Sequence, residues 1–342
     1  VQQAKLTIAL DFKRLAMASL TAVVISGVVG VIMACKGFGA WALVWQSLLN
    51  NLLRVLFVWF FSGWMPSFRF SVKSFKQLFS FGSKLLLSSL LHTIYTNLYT
   101  MIIGLKFSAG ELGFYNRAFT LAQFPSTNLT NVIVRAIYPI QCRLQDDHEQ
   151  LYGMFLKYMR MACFFIFPVM IGLCALAEPL VRLLLTDKWL PAVPLLQILC
   201  IAYMWDPVMK INHNMLNVKG RSDYFLYVEI LKKAVAFLIL FLTIPFGIKV
   251  MCAGLIIYSF ADIVIITYYT RKLIGISLYI QFKELYPVIL LSFSMGAVMY
   301  GSVLIFQNVW LQCGIGMLSG SLYFLVLSRY FRFQEFIILK EI

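Results

Sequence analysis

Arg117 and Arg135 bracket a stretch that is apolar by composition yet carries a polar ladder. At 100° per residue, Arg117, Thr120, Asn128, Asn131 and Arg135 share one side of a helix. A rise of about 1.5 Å per residue sets the two arginines roughly 27 Å apart, close to the ~30 Å of bilayer hydrocarbon. Arginine at the centre of a spanning helix costs at least ~2.5–3.5 kcal/mol unless it faces protein or water. Arg117, like Arg54 in an earlier segment, has no acidic residue one helical turn away. A cation so placed wants an anionic ligand, and the ladder reads as one wall of a wet path.

Other apolar segments carry similar stripes. Ser47, Asn50, Asn51 and Arg54 follow i, i+3, i+4, i+7 spacing, and Ser88, His92, Thr96 and Tyr99 share a face. Tyr203, Asp206, Lys210, His213 and Asn217 make a third stripe, Glu229, Lys232 and Lys233 cluster together, and Asp262 stands alone in its segment. Polar residues phased in so many helices are expected to line one shared cavity. Arg54, His92, Arg117, Asn128, Asn131, Arg135 and Lys210 are the candidate ligand contacts, and Asp206, Glu229 and Asp262 the candidates for ion coupling. Each also has a plain structural reading. Asp206 and Lys210 neutralise one another at i, i+4, His92 is a hydrogen-bonded packing residue, and Lys232 and Lys233 snorkel to an interface.

Segments must exist to position these residues, and composition says what kind. The chain has 342 residues, 61% hydrophobic and 13% charged, with mean hydropathy +0.84. Soluble domains carry about 25% charged residues, so the solvent here is lipid. The net charge of +15 could suggest nucleic acid. The basic residues sit in short loops, however, and topology accounts for them without that partner. Seven scattered cysteines show neither CxxC nor Cys/His spacing, so no metal and no cofactor is expected.

Apolar runs long enough to cross a bilayer fall at about 15–35, 40–61, 83–104, 113–136, 154–177, 193–216, 225–246, 250–270, 285–306 and 309–328. The expected fold is all-α and polytopic, with about ten spans. Alternating the loops puts eighteen basic residues on one side and five on the other, which makes residues 1–14 and the C-terminus cytoplasmic. Trp41, Trp59, Trp64, Trp189 and Trp310 lie near segment ends, where an amphipathic ring suits the interface. Ser26/Gly30 and Gly316/Gly320 are small-xxx-small pairs that let helices approach. Pro125, Pro168 and Pro207 are read as interrupting helix interiors. The opening VQQAKLTIALDFKRL reads as the end of a helix leaving a membrane, so the sequence is expected to lack its N-terminal part.

Three stretches carry a family resemblance. LGFYNRAFTLAQFPSTNLTNVIVRAIYPIQCRLQDD (112–147) and EPLVRLLLTDKWLPAVPLLQIL (178–199) resemble polysaccharide flippases of the Wzx type, in the multidrug/oligosaccharidyl-lipid/polysaccharide exporter superfamily. The second has Thr186-Asp187 where the family pattern has Gly. QQAKLTIALDFKRLAMASL (2–20) is similar to the exit of the family's fourth helix and the start of its fifth. The resemblance implies helices five to fourteen of a fourteen-helix, two-lobe fold. Residues 1–62 would finish the N-terminal lobe, 63–82 link the lobes, 83–272 form the C-terminal lobe, and 273–342 add two helices and a tail. It further implies export of an undecaprenyl-diphosphate-linked oligosaccharide from the cytoplasmic to the periplasmic leaflet of a bacterial inner membrane. Polysaccharide polymerase and glycosyltransferases would act in the same pathway. A diphosphate suits bidentate arginine. Two rivals are weighed. A drug/cation antiporter of the same fold needs acidic residues in its cavity, whereas the stripes carry Arg54, Arg117, Arg135 and Lys210 against Asp206. A membrane-embedded polymerase or ligase needs a long outward loop, and these loops span roughly five to fifteen residues.

Overall fold

A computed structural model describes residues 2–63, 71–331, 333 and 335–336, without the side chains at positions 40, 62, 77, 81, 92 and 96. Trp64 and Arg69 fall outside the described residues. The described residues are helical, with no strand among them, and the chain divides into two units, Val1–Phe75 and Lys76–Ile342.

The first unit contains α1 (Gln2–Ile8), α2 (Phe12–Cys35) and α3 (Ala40–Ser62). Asp11 caps α2 by accepting from the Arg14 backbone N–H at 3.1 Å, which satisfies a donor the helix itself leaves unmet. Ser26 and Gly30 are buried along the α2–α3 contact, where a Cβ on Gly30 would stand 3.0 Å from Gln46. Leu20, Val24, Val31 and Phe60 are exposed, as side chains solvated by lipid would be.

The second unit holds the remaining helices. They are α4 (Val72–Lys106), α5 (Ala109–Arg143), α6 (His148–Ala175), α7 (Ala177–Leu185), α8 (Val193–Tyr203), α9 (Asp206–Val218), α10 (Ser222–Thr243), α11 (Ile248–Ile274), α12 (Leu278–Ile305) and α13 (Val309–Tyr330). A capping box starts α5: Ser108 accepts from the Glu111 N–H at 3.2 Å, and Glu111 accepts from the Ser108 N–H at 3.0 Å. Gly275, at φ +76°, closes α11 in the left-handed conformation that glycine adopts without strain. Phe155, Met159, Phe167, Leu196, Leu199 and Met215 are fully buried where α6, α8 and α9 meet the surrounding helices. Cysteines 163, 200, 252 and 313 are buried, unbonded packing residues.

Seven helical segments among the described residues are long and apolar enough to cross a membrane. They coincide with seven of the ten expected spans. The expected spans at 83–104, 113–136 and 225–246 are helices α4, α5 and α10, of 35, 35 and 22 residues. They have the length, but they also carry the polar and charged side chains that form the site.

The expected span at 193–216 is not one helix. It breaks at Met204–Trp205, and Pro207 sits in the first turn of α9, where proline is tolerated, instead of interrupting a helix interior. Pro125 and Pro168 do lie inside α5 and α6. Trp205 is held among Phe167, Phe260 and Phe282 at ring distances of 5.4, 5.2 and 5.7 Å. From α5, the Ser126 hydroxyl donates to the Tyr203 carbonyl at 2.7 Å, and Thr127 donates to Asp206 Oδ2 at 3.1 Å. The first bond satisfies a carbonyl that Pro207, lacking an N–H, leaves without its helical donor.

Small residues set the α6–α12–α13 contacts. A Cβ on Gly296 would fall 2.4 Å from Ile171 Cγ2, and one on Gly320 would fall 2.3 Å from Met299 Cγ. The Gly316/Gly320 pair read from the sequence therefore lies at a helix contact, with Gly316 facing Ser302 and Leu176.

Candidate functional site

Helices α4, α5, α8, α9, α10 and α11 line a cavity of about 500 Å3 in the second unit. Two larger hollows, about 900 and 790 Å3, run along α6, α12 and α13 and are walled mainly by aliphatic and aromatic side chains. The larger of the two also holds Arg160 paired with Glu284 and Glu335 at 2.7 and 3.0 Å, but the smaller cavity gathers more ionisable groups, and chemistry favours it over size.

Helix α5 contributes Phe119, Gln123, Thr127 and Asn131, one residue per turn. Helix α9 contributes Asp206, Lys210, His213 and Asn217, the stripe read from its sequence. Glu229, Lys232 and Lys233 project from α10, Tyr258 and Asp262 from α11, and Tyr95 from α4.

The charges are tightly paired. Lys232 Nζ donates to Asp262 Oδ2 at 2.8 Å and to Glu229 Oε1 at 3.1 Å, and stands 2.8 Å from His213 Nε2, the acceptor in that contact. Lys233 lies 3.9 Å from Glu229 Oε2 and 4.6 Å above the Tyr95 ring. Lys210 and Asp206 pair at 3.3 Å across one helical turn. Buried ions survive only with such partners, because desolvation otherwise costs several kcal/mol each. Three lysines thus face three carboxylates, and the lining sums to zero formal charge with His213 neutral. The cationic character expected of the cavity is not carried by these residues.

The structure places the candidate residues in three groups. Asp206, Lys210, Asn131, Glu229 and Asp262 come together in the cavity. Arg117, Asn128 and Arg135 are exposed on another side of α5. The Arg117 guanidinium sits 5.5 Å over the Trp189 ring, and among the described residues no carboxylate forms an ion pair with Arg117 or Arg135. Arg54 is exposed on α3 in the first unit. His92 belongs to α4, but its side chain lies outside the described residues.

Three readings change. Lys232 and Lys233 do not snorkel: they are 6% and 4% exposed, held inside by Glu229 and Asp262. Asp262, alone in its own helix, has its partner on α10. The cavity wall of α5 is the Phe119–Gln123–Thr127–Asn131 row, offset from the arginine ladder and sharing only Asn131 with it. That row is an i, i+4 series of its own in the sequence, but Phe119 at its head keeps it from standing out as a polar stripe.

Apolar helices long enough to span a bilayer, packed around a polar, charge-paired cavity, define an all-α polytopic membrane protein. The chain belongs to the polysaccharide biosynthesis protein family, whose model matches residues 1–194. It is 27% identical over 269 residues to the teichuronic acid biosynthesis protein TuaB of Bacillus subtilis, covering 77% of this chain and 56% of that one. It is 29% identical over 216 residues to the lipopolysaccharide biosynthesis protein WzxC of Escherichia coli K12, covering 63% and 44%. The chain spans about half the length of these curated relatives. Its fold matches that of the lipid II flippase MurJ in an inward closed conformation, with TM-score 0.65 over 91% of this chain and 67% of that one at 13% identity. The resemblance read from residues 112–147 and 178–199 is thereby borne out at the level of the family.

Proposed function

We propose that the protein carries an undecaprenyl-diphosphate-linked oligosaccharide from the cytoplasmic to the periplasmic leaflet of a bacterial inner membrane, by alternating access, for surface polysaccharide synthesis. The observation that carries this reading is the paired ionic cavity inside otherwise apolar helices. Such a cavity is costly to build and is useful to a protein that must solvate a polar cargo within lipid. The names of TuaB and WzxC supply the pathway, and the flippase fold supplies the movement. Arg117, exposed and without a carboxylate partner among the described residues, is the candidate diphosphate contact.

In a strain deleted for the chromosomal gene, the wild-type protein is expected to restore surface polymer. Arg117→Ala is expected to insert normally in the membrane and yield at least about tenfold less polymer, the effect of losing one charge-assisted contact. Wild-type polymer from that variant, quantified by gel and sugar analysis, would remove Arg117 from the substrate path.

One observation favours a second reading. Asp206, Glu229 and Asp262 line the cavity, as an antiporter of cationic drugs requires. Each is already engaged by a lysine, which weighs against it. Efflux of a cationic dye by the reconstituted protein, without movement of glycan lipid, would establish the antiporter instead.

A further inference from the structure

The same cavity has a chemistry that its charge count conceals. Three of its buried polar atoms have no hydrogen-bond partner among the described residues: Asn217 Oδ1, Glu229 Oε2 and Asp262 Oδ1. All three are acceptors, and unmet buried acceptors call for a donor. A diphosphate offers none. It would also have to displace carboxylates from lysines they already hold at 2.8–3.9 Å. Phe119, partly buried, lines the same cavity on the row of α5 that continues through Gln123, Thr127 and Asn131, its ring stacked on Tyr115 at 5.8 Å and meeting Tyr203 at 5.7 Å. Aromatic faces beside amides, hydroxyls and carboxylate oxygens suit a polyhydroxylated ring. Its C–H face lies on the aromatic surface, and its hydroxyls donate to the oxygens.

We infer that this cavity binds pyranose rings of the cargo glycan, with Phe119 as the stacking surface and Asn217, Glu229 and Asp262 as hydroxyl acceptors, while the diphosphate is held elsewhere. The inference rests on the flippase reading and divides the cargo between two places. Sugar specificity then resides in the walls supplied by α5, α9, α10 and α11, and the part common to all such lipids is bound outside them.

The test uses the whole protein in lipid nanodiscs and three probes. They are the reducing oligosaccharide freed by mild acid from the host's own lipid-linked repeat, undecaprenyl diphosphate without sugar, and tetraphenylphosphonium. Phe119→Leu and Asn217→Leu leave the lysine–carboxylate pairs intact. Each is expected to weaken binding of the free oligosaccharide by about tenfold, with undecaprenyl diphosphate binding kept within about twofold. The retained lipid binding doubles as proof that the variants are folded. Oligosaccharide binding unchanged in both variants overturns the inference, as does loss of the sugarless lipid instead. Competition for the cavity by tetraphenylphosphonium and not by oligosaccharide assigns it to a cation and overturns it too. Flipping of the intact glycan lipid by the wild-type protein separates the two levels. If flipping occurs, any of these results defeats only the sugar site; if it does not, the flippase reading falls as well.

Discussion

Lys232→Met is expected to destabilise the protein by about 3–5 kcal/mol, the cost of removing one partner from a buried ionic network. Lys232 is 6% exposed, and its ammonium lies within 2.8–3.1 Å of Asp262, Glu229 and His213. Methionine keeps the volume of the side chain but leaves Glu229 and Asp262 facing each other, with Lys233 alone to offset them. The same reasoning predicts a rescue. Lys232→Met combined with Glu229→Gln and Asp262→Asn removes the ions together, and an uncharged set of similar shape is expected to recover most of the loss. Thermal unfolding of purified protein in detergent measures both. A Lys232→Met protein as stable as wild type would mean that the network contributes no net stability, and its ions would then need another reason to be buried.

Gly296→Ala is expected to destabilise, against the usual direction for a helical glycine. Alanine gains up to about 1 kcal/mol of helix propensity over glycine. At this position the added Cβ would fall 2.4 Å from Ile171 Cγ2, which must move. Isoleucine is stiff at χ1 and 4% exposed, so it has little room to withdraw. Overpacking of this kind costs about 1–3 kcal/mol, which exceeds the propensity gain. Gly301, on the same helix with nothing within 4 Å of a built Cβ, is the internal control. Gly301→Ala is expected to be neutral or stabilising by up to about 1 kcal/mol. Ile171→Ala in the Gly296→Ala background should show a favourable coupling of about 1 kcal/mol. Additive effects would show that the α6–α12 contact relaxes freely.

Helix existence was legible in the sequence because lipid demands long apolar runs, and every expected segment is helical. The break at Met204–Trp205 was legible only in part: Pro207 marks an interruption, but the hydroxyls that engage its ends lie on α5, a separate segment. Asp206–Lys210 could be read because its partners lie one turn apart in a single helix. Lys232–Asp262 could not, because the partners are on different helices and only packing unites them. The arginine ladder of α5 shows a further limit. Periodicity finds a polar side, but a helix with two adjacent polar rows gives no sign of which row faces the neighbouring helices. The structure turns Phe119 and Gln123 inward and leaves Arg117 and Arg135 outside.

The joint between α8 and α9 has a mechanical meaning. Ser126 grips the end of one half-helix and the next residue, Thr127, grips the start of the other, so a single turn of α5 is clamped to both sides of a hinge. Any rotation of α5 would strain both bonds at once. Two bonds placed this way act like a bracket: they tie both broken ends, and the first ionic residue of α9, to one turn of α5.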